Sequence, residues 1–315
     1  MAYALDPQVA TVIESLAAAA EGTEPSVGDV AARRANAEVT FAFFDAQAPA
    51  VSDVTTADHV TTASDGSEIL LRWFVKEGGA QGPGLYYVHG GGMILGSLRL
   101  YGGLIREYVS ASGVPALAVE YRLAPEHPYP TPVQDCYAGL AWFADHAGEL
   151  GVDGARIAIM GDSAGGGLAA AAALLARDRG GPALARQILV YPMLDDRTTV
   201  PDPALEPFVT WTYDDNLTGW GALLGTHAGT DGVSAYAAPA RATDLSGLPA
   251  TYIDVGELDI FRDEDIEFAR RLAATATSVE VHVHPGVPHS FERYVPSADV
   301  SRRTFADRVR VLRSL

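Results

Sequence analysis

The chain has 315 residues, 48% of them hydrophobic, enough to bury one large elaborated core or two small ones. A formal net charge of −18 sets up a field that repels nucleic acid and anionic membranes, so neither is expected as a partner. No apolar run approaches a membrane span, and Met1–Ala20 lacks the basic start of a secretory leader, so the expectation is a soluble, cytoplasmic protein.

In chain order, residues 1–45 read as two helices. The first, in "DPQVATVIESLAAAA", has Asp6 as its N-cap, and the second lies in "VGDVAARRANAEVTFAFF". A strand is expected within 51–62. From Ser67 onward short β-branched or aromatic runs follow at 68–75, 84–89, 115–120, 156–161, 187–192, 250–256 and 279–284. Helical spacing of apolar residues marks 132–147, 164–178 and 263–275 between them. Strands alternating with helices imply right-handed crossovers, a mostly parallel sheet of about eight strands, and helices on both faces. Residues 196–235 break the alternation. They are rich in Pro, Gly and aromatics, including Phe208, Trp211, Tyr213 and Trp220, and long insertions of this kind carry function or form a lid.

Two residue counts narrow the chemistry. Lys76 is the only lysine, which removes a P-loop lysine and a Ser-x-x-Lys pair at the glycine cluster 161–167. A phosphate cradle there is therefore excluded. Cys136 is the only cysteine; it cannot form an internal disulfide, and its helical spacing in "PVQDCYAGLAWF" reads as core.

Gly161-Asp162-Ser163-Ala164-Gly165 fits G-x-S-x-G, with a strand before it and an alanine-rich helix after it. A strand-to-helix turn of that kind holds a serine up as a nucleophile against a helix N-terminus. The competing reading is a glycine-rich turn with an N-cap serine. "HGGGMILG", 89–96, favours the nucleophile, because consecutive glycines after a strand let backbone N–H groups turn toward a developing negative charge. His89, at the head of that loop, reads as a brace for the turn.

A serine nucleophile needs a base and an acid to orient it. His289 lies just past the last expected strand, and Asp259 just past the one before. The order Ser163, Asp259, His289 is that of α/β-hydrolase triads and puts all three at the carboxyl edge of one sheet. Glu257 is the runner-up acid, with Asp254 nearer still to the strand. Asp263 and Asp265 read as first-turn carboxylates of the next helix, and His282 and His284 as packing on one strand face.

Taken together, "HGGG" (89–92), "YRLAPEHPYP" (121–130) with Asp135, "GDSAGG" (161–166), "YP" (191–192), "GELDIFRDE" (256–264) and "PGVPHSF" (285–291) resemble the hormone-sensitive-lipase family of α/β-hydrolases, in its bacterial esterase branch. The resemblance covers nearly the whole chain. It implies an α/β-hydrolase fold with a helical cap from 1–45 and 196–235 over a catalytic core of 46–195 and 236–315. It also implies Ser163 as nucleophile, His289 as base, Asp259 as orienter, and an oxyanion hole from the N–H groups of Gly91, Gly92 and Ala164. The expected reaction is hydrolysis of small short-acyl esters through an acyl-enzyme, with no metal or cofactor. An amidase or lactonase could use the same parts, and a non-catalytic ligand-binding protein is the rival from another class. Family members often pair through the edge near the last strand, so a homodimer is a further expectation. Tyr121, Arg122, Glu126 and Asp135 are expected to form a buried network holding the loops. Two positions depart from the family pattern: Ile260-Phe261 follows Asp259 in place of Pro-Leu, and Met93 follows "HGGG" in place of a large aromatic.

Overall fold

The computed structural model describes residues 3–20, 22, 24–79 and 82–315. Residues 1, 2, 21 and 23 of the expected cap lie outside the described residues. Eight strands form one sheet: β1 (Val54–Thr62), β2 (Glu68–Lys76), β3 (Gly82–Val88), β4 (Ala116–Val119), β5 (Val152–Asp162), β6 (Arg186–Val190), β7 (Ala250–Gly256) and β8 (Val279–His284). Their spatial order is β1-β2-β4-β3-β5-β6-β7-β8. β2 pairs antiparallel with β1 and with β4, and every later pairing is parallel.

The helices are α1 (Pro7–Ala20), α2 (Val30–Gln47), α3 (Leu98–Ser112), α4 (Thr131–His146), α5 (Ala164–Asp178), α6 (Tyr213–Leu224), α7 (Arg262–Ala274), α8 (Phe291–Tyr294) and α9 (Asp299–Arg313). Alternation along the central strands divides the interior into two cores. Tyr86 and Val88 of β3 face α4 and α5, where Cys136, Leu140, Phe143 and Leu168 are buried. Leu85 and Tyr87 point the other way, toward Ile105 and Tyr108 of α3 and Val309 and Leu312 of α9. Both faces of the central strands are thereby covered, which is why β3, β4 and the 157–160 run of β5 are apolar.

The two segments outside this alternation have local signals of their own. Asp6 accepts the Gln8 N–H at 2.8 Å, and Asp29 caps α2 by accepting the Ala32 N–H at 2.9 Å. Thr212 and Asp215 form a reciprocal capping box at the start of α6. The segments also touch each other. Arg33 Nε donates to Asp215 at 2.8 Å, and the Gly28 N–H donates to the Thr218 hydroxyl at 2.9 Å. Val9 and Ile13 of α1 pack on Val287, Phe291 and Val295, so the first helix rests on the loop that carries His289. No helix among the described residues is long and apolar enough to cross a membrane.

Candidate active site

Ser163 stands between β5 and α5 with φ 55° and ψ −124°, a conformation that L-residues rarely adopt. Hydrogen bonds hold the turn: the Ser163 N–H donates to Val190 O at 2.8 Å, and its carbonyl accepts from Gly167 and Met193 at 3.0 and 2.9 Å. The flanking glycines are steric requirements. A Cβ on Gly161 would run into the Gly165 carbonyl, and one on Gly165 would run into the Val88 carbonyl of β3. This packing is the physical content of the G-x-S-x-G spacing.

The loops after β7 and β8 bring the other two groups to the same edge. His289 Nε2 lies 3.0 Å from Ser163 Oγ, and His289 Nδ1 lies 2.6 Å from Asp259 Oδ2. Asp259 is fully buried, and its second oxygen accepts the Phe261 N–H at 3.0 Å. The imidazole is fixed laterally by the Tyr191 ring, edge-on at 4.5 Å, and by Phe261 at 5.3 Å. Ser163 and His289 are only 5% and 6% exposed, so the relay is shielded from water.

The glycine loop begins one residue past β3. Gly91 and Gly92 have φ of 115° and 58°, and Ile94 and Leu95 both donate to Gly91 O at 3.0 Å. Among the described residues no acceptor pairs with the N–H of Gly91, Gly92 or Ala164, the last being the first residue of α5. His89 is 1% exposed, stacks on Tyr121 at 4.2 Å and contacts Gly90 O through Nδ1 at 2.9 Å. It braces the turn, and burial pushes its imidazole down to about 4, which keeps it neutral.

The other candidates are occupied elsewhere. Glu257 accepts the Gly286 N–H at 2.9 Å, and both Asp254 oxygens accept from Arg308 at 2.7 Å. His282 contacts Glu280 at 2.8 Å, and His284 contacts the Thr304 hydroxyl at 3.2 Å. No group of three or more potential metal ligands converges among the described residues. One expectation needs correction. Glu126 is exposed and pairs bidentately with Arg34 at 2.7 Å, outside any buried network; the partly buried Arg122 pairs with the buried Asp135 at 2.7 Å, and the Tyr121 hydroxyl donates separately to His89 O at 2.9 Å. Asp265 stands in the first turn of α7 as expected, and it is fully buried there: neither oxygen has a hydrogen-bond partner among the described residues, and burial raises its pKa well above the usual range.

Supporting residues that sequence reasoning missed surround the relay. Asp162 accepts the hydroxyls of Tyr87 and Tyr101 at 2.7 and 2.9 Å, and burial raises its pKa. Glu292, three residues past His289, accepts from the Tyr191 hydroxyl and from Arg308, both at 2.7 Å. Arg34 of α2 donates to Ile94 O at 2.7 Å and steadies the glycine loop from outside. Asp162 lies inside the G-x-S-x-G turn, but its partners, like those of Glu292 and Arg34, are distant in the chain and carry no local motif.

A parallel sheet with a strained serine, a histidine and an aspartate at its carboxyl edge defines a hydrolase scaffold. A family model described as the alpha/beta hydrolase fold matches residues 85–293, and the chain belongs to that family, in its hormone-sensitive-lipase-like branch. Among curated relatives, esterase LipI of Mycobacterium tuberculosis is 36% identical over 70% of this chain and 69% of its own length. Carboxylesterase NlhH of the same organism is 38% identical over 69% of each chain. Among solved structures, a bacterial heroin esterase is 38% identical, with a TM-score of 0.87 over 98% of this chain and 97% of that one.

Proposed function

We propose that this carboxylic ester hydrolase works by two-step acyl transfer, with Ser163 as nucleophile, His289 as general base and acid, and Asp259 as its orienter. The observation that supports it is the continuous relay from Ser163 Oγ to His289 at 3.0 Å and on to Asp259 at 2.6 Å. A proton on Nδ1, donated to Asp259, leaves the Nε2 lone pair free to accept the serine hydroxyl proton. Serine oxygen then attacks the ester carbonyl, and the oxyanion forms against the N–H groups of Gly91, Gly92 and Ala164. Collapse of the tetrahedral species expels the alcohol, which takes the proton from His289. Water repeats the sequence on the acyl-enzyme and releases the acid.

Residues 1–45 and 196–235 form a cap in this reading, supported by the Arg33–Asp215 pair and by the contact of Trp211 with the glycine loop. Aromatic side chains in such a roof shorten the acyl cavity. Each added methylene contributes about 0.8 kcal/mol only while apolar wall remains to receive it; beyond that length packed side chains must move. The preferred esters therefore carry acyl chains of roughly two to six carbons. Peptide mapping after organophosphate treatment should find the label on Ser163 alone, and Ser163→Ala should lose several orders of magnitude in turnover while staying folded. A label on Ser290, or near-full activity of the alanine variant, removes the assignment. A p-nitrophenyl ester series whose kcat/KM peaks at ten carbons or more removes the size preference.

A further inference from the structure

The 196–235 segment reaches both halves of the reaction site through two consecutive residues just ahead of α6. The Thr210 hydroxyl donates to the backbone carbonyl of His289 at 2.6 Å. Beside it, the Trp211 indole lies so close to the glycine loop that a Cβ on Gly92 would stand 2.5 Å from Cη2 and 2.7 Å from Cζ2. Gly219 of α6 closes on the same residue: a Cβ there would be 2.8 Å from Gly92 O. The Trp211 Nε1–H is buried with no partner among the described residues, so packing alone holds the ring.

Thr210 occupies an unusual position with respect to the base. Among the described residues it supplies the only hydrogen bond to the main chain of His289. The next residue, Ser290, is left-handed with φ 56°, which turns the loop sharply after the histidine. Without Thr210 the His289 carbonyl would be a shielded acceptor with no partner, and the loop would shift to satisfy it. Asp259 fixes the ring through Nδ1, but that bond restrains only one end of the residue. A base displaced by a fraction of an ångström loses its alignment with Ser163 Oγ even when the fold is intact.

We propose that Thr210 is a positioning residue for His289, and that adjacency to Trp211 makes the seating of the indole on Gly92 and the aiming of the base one event. This rests on His289 being the base for Ser163, as argued above. The roof over the ester is then also a part that holds the catalytic histidine. Disturbing it lowers turnover per active site, because the geometry of proton transfer changes while ground-state binding does not.

The test compares Thr210→Val, which keeps the shape and removes the donor, with Thr210→Ser, which keeps the hydroxyl. With p-nitrophenyl acetate, and with sites counted by organophosphate titration, Thr210→Val should lose about 10–100-fold in kcat, with KM little changed. Its rate of organophosphate labelling should fall in step, because the same base activates Ser163. Thr210→Ser should recover most of both rates. Thr210→Ala repeats the comparison without a second methyl to misfit, should the valine variant fail to fold. Trp211→Ala should lower kcat for the same short ester although the Thr210 hydroxyl remains. Wild-type kcat per titrated site in Thr210→Val and Thr210→Ala, a loss confined to KM or to the number of active sites, no recovery in Thr210→Ser, or undiminished kcat in Trp211→Ala would each overturn the proposal. Absence of label on Ser163 would instead remove the reading beneath it, so the two failures are distinguishable.

Discussion

Asp259→Asn isolates the contribution of one charge at almost constant shape. Asp259 is fully buried and makes two hydrogen bonds, accepting the Phe261 N–H at 3.0 Å and pairing with His289 Nδ1 at 2.6 Å. An asparagine there must still offer its carbonyl to Phe261, because a buried backbone N–H is costly to leave unpaired. Its NH₂ group therefore faces the imidazole and donates to Nδ1. Nδ1 then has to carry the lone pair, the proton moves to Nε2, and the ring presents a donor to Ser163 Oγ where an acceptor is needed. The imidazolium that forms on attack also loses its counter-charge. Together these should cost roughly 10³–10⁴ in kcat, equivalent to about 4–5.5 kcal/mol of transition-state stabilisation, with little change in KM. Steady-state hydrolysis of p-nitrophenyl acetate, with circular dichroism to verify the fold, measures it. Glu257→Gln is the control: its carboxylate engages Gly286 N, so it should cost less than about ten-fold. An Asp259→Asn enzyme retaining a tenth of its kcat, or a greater loss in Glu257→Gln, would refute the tautomer argument.

Three further perturbations probe the supports. Arg308 is fully buried between Asp254 and Glu292; Arg308→Met strands two carboxylates and should cost about 3–5 kcal/mol, lowering the melting temperature by roughly 5–8 °C, partly recovered by adding Asp254→Asn and Glu292→Gln. A melting curve unchanged by the single substitution would contradict the pairing. Burial holds His89 at about 4 against an ordinary 6.5, so the unfolded chain takes up the proton first; this group's stabilisation is complete above the ordinary value and lost as pH falls toward the folded one, by roughly 3 kcal/mol. Urea midpoints across that window should fall less steeply in His89→Gln than in the wild type, and parallel curves would exclude the effect. Gly165→Ala drives a methyl into the Val88 carbonyl and should destabilise by several kcal/mol or prevent folding, whereas Gly102→Ala, in α3 with nothing within 4 Å, should stabilise by about 0.5–1 kcal/mol. Equal melting temperatures for the two variants would show that the elbow is not sterically closed.

The strands and the relay were legible because both are written in short-range pattern. The apolar runs at 84–89, 156–161, 187–192 and 250–256 fall on β3, β5, β6 and β7, since strands covered on both faces are apolar throughout. Parallel order then does the geometric work: any residue just past a strand arrives at the same edge, so Ser163, Asp259 and His289 meet although the outer two are 126 residues apart. α3 and α9 were not marked, for two different reasons. Gly102 and Gly103, both weak helix formers, fall inside α3, an otherwise ordinary helix whose N-cap is Ser97. In α9 the buried stripe runs Val300, Thr304, Arg308, Val311, so a charged residue stands where the helical period calls for an apolar one.

A charged residue on the buried face of a helix recurs at Asp265. Asp265, Phe268 and Leu272 are spaced i, i+3, i+7 on α7 and are all buried, so the helical period places the carboxylate inward. Residue type decides the matter only when the buried partner is unknown. Arg308 is tolerable inside because Asp254 and Glu292, 54 and 16 residues away, neutralise it there. Asp265 has no such partner among the described residues, and burial raises its pKa instead. The same holds for Thr210, whose hydroxyl has an ordinary place in any loop until the fold brings a carbonyl 79 residues away to face it. Groups that act through such pairings have no local signature, because the energy that fixes them belongs to the contact and not to either residue.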